Sequence, residues 1–412
     1  MTAPPAVERN HALDALRGAA LLLGVLLHAC MSYMPGSEYF WLTSDQTESV
    51  IASGTFFWIH SFRMLVFFLL AGYFGKQLLD RYGARTFMRD RARRVLTPLL
   101  AGWPIVFSAI VGVIVWNAWL VHGGQLPQQA PPGPKFTPDS FPLTHLWFLY
   151  VLLLFYVAAL VCRWAQRAVF IQKALTRVTT IFCRGLSHPT GRWLMLVPMA
   201  TGLLLLPKWM PWFGIPTPDN SLYPNVAALL AYGSAFAYGW LRAGQANGLA
   251  GHRSSWKSAL AIAIVASVAL ISWMGPTPSF EHAVPGLSGR PIAFAALYAL
   301  NGWAWVFALL GLAQAYAARP GKWTRYLADA SFWIYFIHLP IVAAGQVLLS
   351  RIDVPGYLEF PMLLTASGVL LLGSYQVLIR NTSVGRALGF ASKRQGAPQM
   401  TIKPPTSAKL PA

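Results

Sequence analysis

Ten stretches of this chain are apolar over a length sufficient to cross a hydrocarbon core, at about 12–34, 51–75, 95–120, 144–163, 193–209, 224–241, 258–275, 292–317, 327–350 and 358–379. A helix needs about 20 such residues to span the roughly 30 Å of a bilayer interior. The pattern predicts an all-α polytopic integral membrane protein of about ten transmembrane helices. Residues 12–380 form one membrane domain in this reading, 1–11 a short lead and 381–412 a disordered basic tail. The fifth run is short and carries Pro198 and Pro207, which leaves its limits the least defined. No internal repeat stands out, which weakens an inverted-repeat transporter reading.

A net charge of +19 would suit a nucleic-acid binder only if it covered a soluble face, but charged residues are 11% of the chain and lie in short segments between apolar runs. They read as topology signals. With the N-terminus in the cytoplasm, 26 of the 32 Lys and Arg fall on the inner side and four (Lys135, Lys208, Arg290, Arg351) on the outer, while Arg17 and Arg63 lie within spans. That asymmetry follows the rule that cytoplasmic loops are basic, and it places both termini inside. The segment Gln125–Pro142 is rich in proline and reads as an external loop lying over the mouth of the bundle. Cys30, Cys162 and Cys183 are too few and too dispersed for a disulfide framework or a metal site. LHAC at Leu27–Cys30 loosely matches a lipoprotein cleavage box, but His28 fits it poorly and Asp14 and Arg17 interrupt the preceding apolar run.

Titratable groups inside spans usually face a polar cavity and mark a pathway or reaction site. The first span places Arg17 and His28 eleven residues apart, on nearly one face and about 16 Å apart along the axis. His28 reads as a reaction centre and Arg17 as a group that orients or neutralises something on its cytoplasmic side. In the second span His60 and Arg63 are one turn apart; Arg63 serves either the same cavity or a backbone carbonyl. Arg91, Arg93 and Arg94 precede the third span, where guanidinium donors suit phosphate but also simply set topology. His145 and Trp147 open the fourth span, as cavity members or as an interfacial pair. Tyr335 and His338 share a face of the ninth, again as cavity members or as hydrogen-bonding partners between helices.

The ordered set of Arg-ten residues-His, IHSFRM…VFF…GYF (Ile59–Phe74), RDRARRVLTP (Arg89–Pro98), HLWFL (His145–Leu149) and ASFWIYFIHLP (Ala330–Pro340) resembles membrane acyltransferase family 3, and within it the glucan-biosynthesis branch. The resemblance runs from about residue 10 to 380. It implies a ten-span fold in a bacterial inner membrane, acyl-CoA (succinyl or acetyl) loaded from the cytoplasm, and O-acyl transfer to a glycan, most simply an osmoregulated periplasmic glucan, with glucan-synthesis machinery as a partner. On matching positions it implies that His28 is the essential histidine, Arg17 its motif partner, and Arg91 and Arg94, with Arg93 beside them, donor-binding arginines. His60, Arg63, His145, Trp147, Tyr335 and His338 are then the candidates for substrate contacts. Ala71 stands where the family often has serine. A sugar hydroxyl needs a base titrating near neutrality, which histidine supplies; His28 either removes that proton or carries the acyl group itself. No metal is implied, and no Gly-x-Ser-x-Gly element is present. Two other readings stand beside this one: an exporter of a glycan or acylated intermediate, and a structural partner of a glucan synthase.

Overall fold

The structure, a computed structural model, describes residues 10–127, 135–166, 190–245, 248–280, 289–319, 321–352 and 354–387, with isolated positions between these stretches. Cys183, most of the 163–192 connection and the tail beyond residue 387 lie outside the described residues, as does part of the Gln125–Pro142 loop. The described residues form no strand. Each of the ten apolar runs contains a helix: α1 His11–Cys30, α2 Val50–Arg91, α3 Thr97–Val121, α4 Trp147–Ala165, α5 Leu196–Leu204, α6 Val226–Ala243, α7 Trp256–Met274, α8 Gly289–Tyr316, α9 Lys322–Leu349 and α10 Gly356–Ser374, followed by a short α11, Ser383–Ala387.

Seven segments among the described residues are long and apolar enough to cross a membrane, one of them, Val50–Val121, holding both α2 and α3. The chain is therefore a multi-pass membrane protein. Helix α5, at nine residues, extends only about 14 Å, too short to cross alone. The prolines noted in its run account for this: Pro198 stands near its start and Pro207 follows its end.

The segment 76–94, expected to be a connection, is instead helix. Helix α2 continues to Arg91, breaks locally at Gly83 (φ 76°, ψ 172°), and passes through a π-helical turn, Ala92–Leu96, directly into α3. Residues 76–91 are mostly good helix formers, and Leu79 and Phe87 are buried at 1% and 0% exposure. Asp80 pairs with Lys76 one turn away and with Arg163 on α4 at 3.6 Å. A lone positive φ in mid-helix needs glycine.

Helices α1, α2, α4, α6 and α9 surround the centre. The crossing of α2 and α6 is the closest: a Cβ on Gly72 would strike the Phe236 carbonyl, and one on Gly239 the Leu69 carbonyl. Small residues let backbones approach in this way where no hydrophobic force drives helices together. The end of the bundle where α1 begins is called the base and the end where it finishes the crown. At the crown Leu222 N donates to Pro138 O at 2.8 Å and Thr144 N to Asp219 O at 3.0 Å, which ties the end of the proline-rich loop to the 216–222 connection. Gly239→Ala is expected to destabilise by about 1–3 kcal/mol through overpacking. Gly112→Ala on α3, where a Cβ meets nothing within 4 Å, should be neutral or slightly stabilising; thermal unfolding in one detergent compares the two.

Candidate active site

One cavity of about 1110 Å³ runs through the bundle, and ten of the eleven residues singled out in the sequence line it. The exception is Arg93, which is exposed and is not among the lining residues. The cavity reaches from Asp14, Arg17, Arg91, Arg94 and Asp329 at the base to Lys208, Asp219 and Phe280 at the crown.

At the base each arginine is held by a neighbouring group. Arg17 Nη2 lies 3.3 Å from Asp14 Oδ1 and donates to Ala328 O at 3.1 Å. Asp90 receives Arg91 Nη2 at 2.5 Å on one oxygen and Arg94 Nε at 3.0 Å on the other, while Arg91 Nη1 donates to Tyr156 OH at 3.0 Å. The π-helical turn follows directly on Arg91 and contains Arg94. It adds a residue to the helical repeat there, and such bulges recur at functional sites.

Arg63 lies deeper. No carboxylate stands within ion-pair distance of it among the described residues, and its Nε is buried without a hydrogen-bond partner. A Cβ on Gly24 of α1 would collide with its guanidinium, so glycine at 24 is what lets the two helices meet around this charge. A buried, unpaired guanidinium facing a cavity suits an anion or a developing negative charge.

Beyond Arg63 the histidines gather. The His28 ring lies 5.1 Å from that of His338, which is 5.1 Å from that of His145. His338 Nδ1 is 2.7 Å from Tyr335 O and His145 Nε2 is 3.1 Å from Phe336 O. A carbonyl only accepts, so those nitrogens carry the protons, which in the neutral rings leaves His338 Nε2 and His145 Nδ1 as lone-pair sites. Both are buried without a partner, as is His28 Nδ1, so His28 Nε2 is the ring nitrogen with access to the cavity. Tyr335 OH donates to His145 O at 2.8 Å. Trp147 stacks on Tyr232 at 5.4 Å, and His60 packs beside Phe56 at 5.2 Å. Towards the crown Phe40, Phe213 and Phe280 close on one another at 5.5 to 6.0 Å. Burial pushes the Asp219 carboxyl up from its ordinary range, against its bond from Thr217. Among the described residues no three His, Cys, Asp or Glu side chains are placed to share a metal ion.

Gly24, Trp41 and Gln346 belong to this site and were not singled out from the sequence. Gly24 sits in an apolar run where glycine reads as packing, Trp41 sits in a connection without periodicity, and Gln346 is a lone polar residue near the end of α9. Replacing Arg63 by methionine, which removes a buried unpaired charge at similar volume, is expected to raise the thermal unfolding midpoint by roughly 2–4 °C; a lower midpoint would mean that the guanidinium is stabilised where it lies.

A family model described as an acyltransferase domain matches residues 10–379. Among curated proteins, the glucans biosynthesis protein C of Shigella boydii serotype 4 is 31% identical over 166 residues, 39% of this chain and 40% of that protein. The protein of the same name from Escherichia coli K12 is 30% identical over 166 residues, again 39% and 40% of the two chains. The similarity therefore spans about 40% of the length of these relatives. No solved structure matches the chain.

Proposed function

Because the chain belongs to acyltransferase family 3, whose domain it carries over residues 10–379, we propose that its cavity transfers an acyl group from acyl-CoA to a hydroxyl of a glycan. The acceptor proposed is a periplasmic glucan, since the relatives are named for glucan biosynthesis. The observation that carries the reading is one cavity with cationic groups at the base, a bare guanidinium at depth and a histidine beyond it.

In this proposal the chain crosses a bacterial inner membrane ten times, the short α5 crossing together with the 3₁₀ segment Gly191–Met195 that runs into it, with both termini and the base in the cytoplasm. The phosphates of the donor rest on Arg91 and Arg94 at the base, where their partner Asp90 is already shared between two guanidinium groups and is free to yield one to phosphate. The pantetheine arm follows Arg17 upward, which brings the thioester near Arg63 and His28. The acceptor hydroxyl enters from the crown. His28 Nε2 removes its proton as the oxygen attacks the thioester carbonyl; the carbon–sulfur bond breaks, and the thiolate of CoA takes up the proton from the imidazolium. In the variant with an acyl-imidazole, His28 Nε2 attacks first to form an acyl-imidazolium, the carbon–sulfur bond breaks and CoA leaves as the thiolate; the hydroxyl then displaces the imidazole, and its proton passes to the thiolate. Arg63 stabilises the oxyanion of either route, or holds the distal carboxylate when the acyl group is succinyl. His60, His145, Trp147, Tyr335 and His338 line the space that the acyl group and the acceptor share.

The test is the mass of periplasmic glucans from cells with the wild-type gene, with His28→Ala at equal expression, and without the gene. An acyl increment present only with wild type is the expected result, and its mass identifies the acyl group. An increment that survives His28→Ala removes His28 from the chemistry, and unchanged glucans in all three move the acceptor elsewhere. In detergent, Arg91→Ala and Arg94→Ala are each expected to raise the KM for succinyl-CoA or acetyl-CoA about tenfold with kcat within a factor of about two. A transporter would release no free CoA in the same assay and would need sealed vesicles.

A further inference from the structure

A histidine that works through one ring nitrogen is commonly oriented by a hydrogen bond on the other. His28 has none: its Nδ1 is buried and unpartnered. Its orientation must come from packing, and the side chain stacked on it is Trp41, whose ring lies 5.8 Å away with planes 19° apart. Trp41 belongs to the connection between α1 and α2, and that connection is firmly held. Trp41 N donates to Ser37 O at 2.8 Å, Asp45 N to Ser32 O at 2.8 Å and Ser49 N to Tyr33 O at 2.7 Å, while Asn117 Nδ2 of α3 donates to Leu42 O at 3.1 Å.

The indole is fixed in turn by Gln346 of α9, which is 2% exposed. Trp41 Nε1 donates to Gln346 Oε1 at 2.9 Å, and Gln346 Nε2 donates to His28 O at 3.0 Å and Ala29 O at 3.2 Å. The amide orientation is forced by these partners. Turned over, it would set its NH₂ against the indole N–H and its oxygen against two carbonyls. One side chain thereby grips the backbone of His28 and the ring that lies against its imidazole.

We propose that Trp41 and Gln346 are a positioning pair for His28: Gln346 fixes the indole and the last turn of α1 to one another, and the indole plane holds the imidazole with Nε2 turned into the cavity. The pair does for His28 what a carboxylate on Nδ1 does elsewhere. It fixes the ring by shape, and it leaves that nitrogen without a charge beside it. The stack also covers one face of the imidazole and limits the angles from which water reaches it. This proposal deepens the acyl-transfer reading and rests on it for its kinetic consequences only.

The experiment uses the full-length protein in detergent and two readouts. The first is the rate at which His28 is modified by diethyl pyrocarbonate, measured by peptide mass spectrometry. The second is kcat and KM for CoA release from succinyl-CoA and acetyl-CoA with isolated glucan as acceptor. The variants are Trp41→Ala, which deletes the plane, Trp41→Phe, which keeps a plane without the donor, and Gln346→Glu, which keeps the shape but replaces the two donors with an acceptor. Trp41→Ala and Gln346→Glu are expected to speed His28 modification at least threefold and to lower kcat by about 10- to 100-fold, since small misplacements of a reacting group have effects of that size, with KM for the thioester unchanged. Trp41→Phe should fall between them and wild type and, as the conservative variant, controls for misfolding. A modification rate unchanged in both Trp41→Ala and Gln346→Glu overturns the proposal whatever the activity. A rise in KM matching the loss of kcat/KM also overturns it, since Trp41 would then be binding the donor. If wild type releases CoA from neither thioester while His28 modification still responds to both variants, the pair stands and the acyl-transfer reading falls.

Discussion

A guanidinium within a helix bundle must find hydrogen-bond partners inside the protein, because hydrocarbon offers none. Much of the centre of this molecule is arranged around that requirement at Arg63. Helix α1 carries glycine at 24, and a methyl group there would occupy the space of the guanidinium. Two polar rings of the same cavity, His145 in the turn that leads into α4 and His338 on α9, commit one nitrogen each to a carbonyl and leave the other bare. The result is a buried chamber with one positive charge and several lone-pair sites but no carboxylate to neutralise it. A chamber of that kind is costly when empty, and an anionic or strongly dipolar occupant lowers the cost.

Two features of the backbone hold this chamber open. The first is the crossing of α2 and α6, where Gly72 and Gly239 bring backbone against backbone. The crossing fixes α2 two turns below Arg63 and brings Tyr232 of α6 against Phe68 of α2 at 4.9 Å and Trp147 at 5.4 Å. The second is the course of α2, which resumes as helix after Gly83 and passes through the π-helical turn into α3 without a loop. A loop here would leave Arg91 and Arg94 to find their own positions. The helix after Gly83, with Asp90 and Tyr156 as anchors, sets them at the base of the same cavity that His28 lines further up. The same segment thus supplies the deep charge and the basal charges, and their spacing is set by two helical stretches and the bend at Gly83 between them.

Much of this was legible in the sequence because membrane proteins write their constraints in composition. Runs of about 20 apolar residues require helices, and each of the ten runs contains one. An arginine or histidine within such a run is stable only facing inward, and the six of that kind singled out, Arg17, His28, His60, Arg63, His145 and His338, all line one cavity. Three aspects were not legible. The length of α2 was hidden because the polar residues 76–91 end the hydropathy signal while leaving helix propensity intact, and propensity alone is a weak guide. The limits of α5 were hidden, although its run reads as short and proline-bearing, because hydropathy does not fix where a helix ends. Gly24, Trp41 and Gln346 were invisible because each matters through a contact with a residue distant in the chain: Gly24 with Arg63, and Gln346 with Trp41 and the carbonyls of His28 and Ala29. Arg93 shows the converse. It sits among arginines that face the cavity, yet the helical turn carries it outward, since neighbours in sequence on a helix do not share a face.

The two ends of the cavity differ in chemistry. The base is ionic, with Arg17, Arg91 and Arg94 each paired to an aspartate. Such pairs at a water-facing mouth contribute little to stability, so exchanging one carboxylate for a phosphate there is nearly balanced and easily reversed. The crown is aromatic, with Phe40, Phe213 and Phe280 in mutual contact and Lys208 and Asp219 as its charged lining residues. An anion is therefore attracted at one end and meets an apolar closure at the other, with the unpaired charge of Arg63 between. A neutral polyol has the opposite preference: it gains nothing from the ionic mouth, while aromatic faces beside a few polar groups are surfaces on which sugars pack. In the proposed reaction, two reactants of unlike chemistry would in this way approach one histidine from the two ends of the cavity, without either having to pass the other.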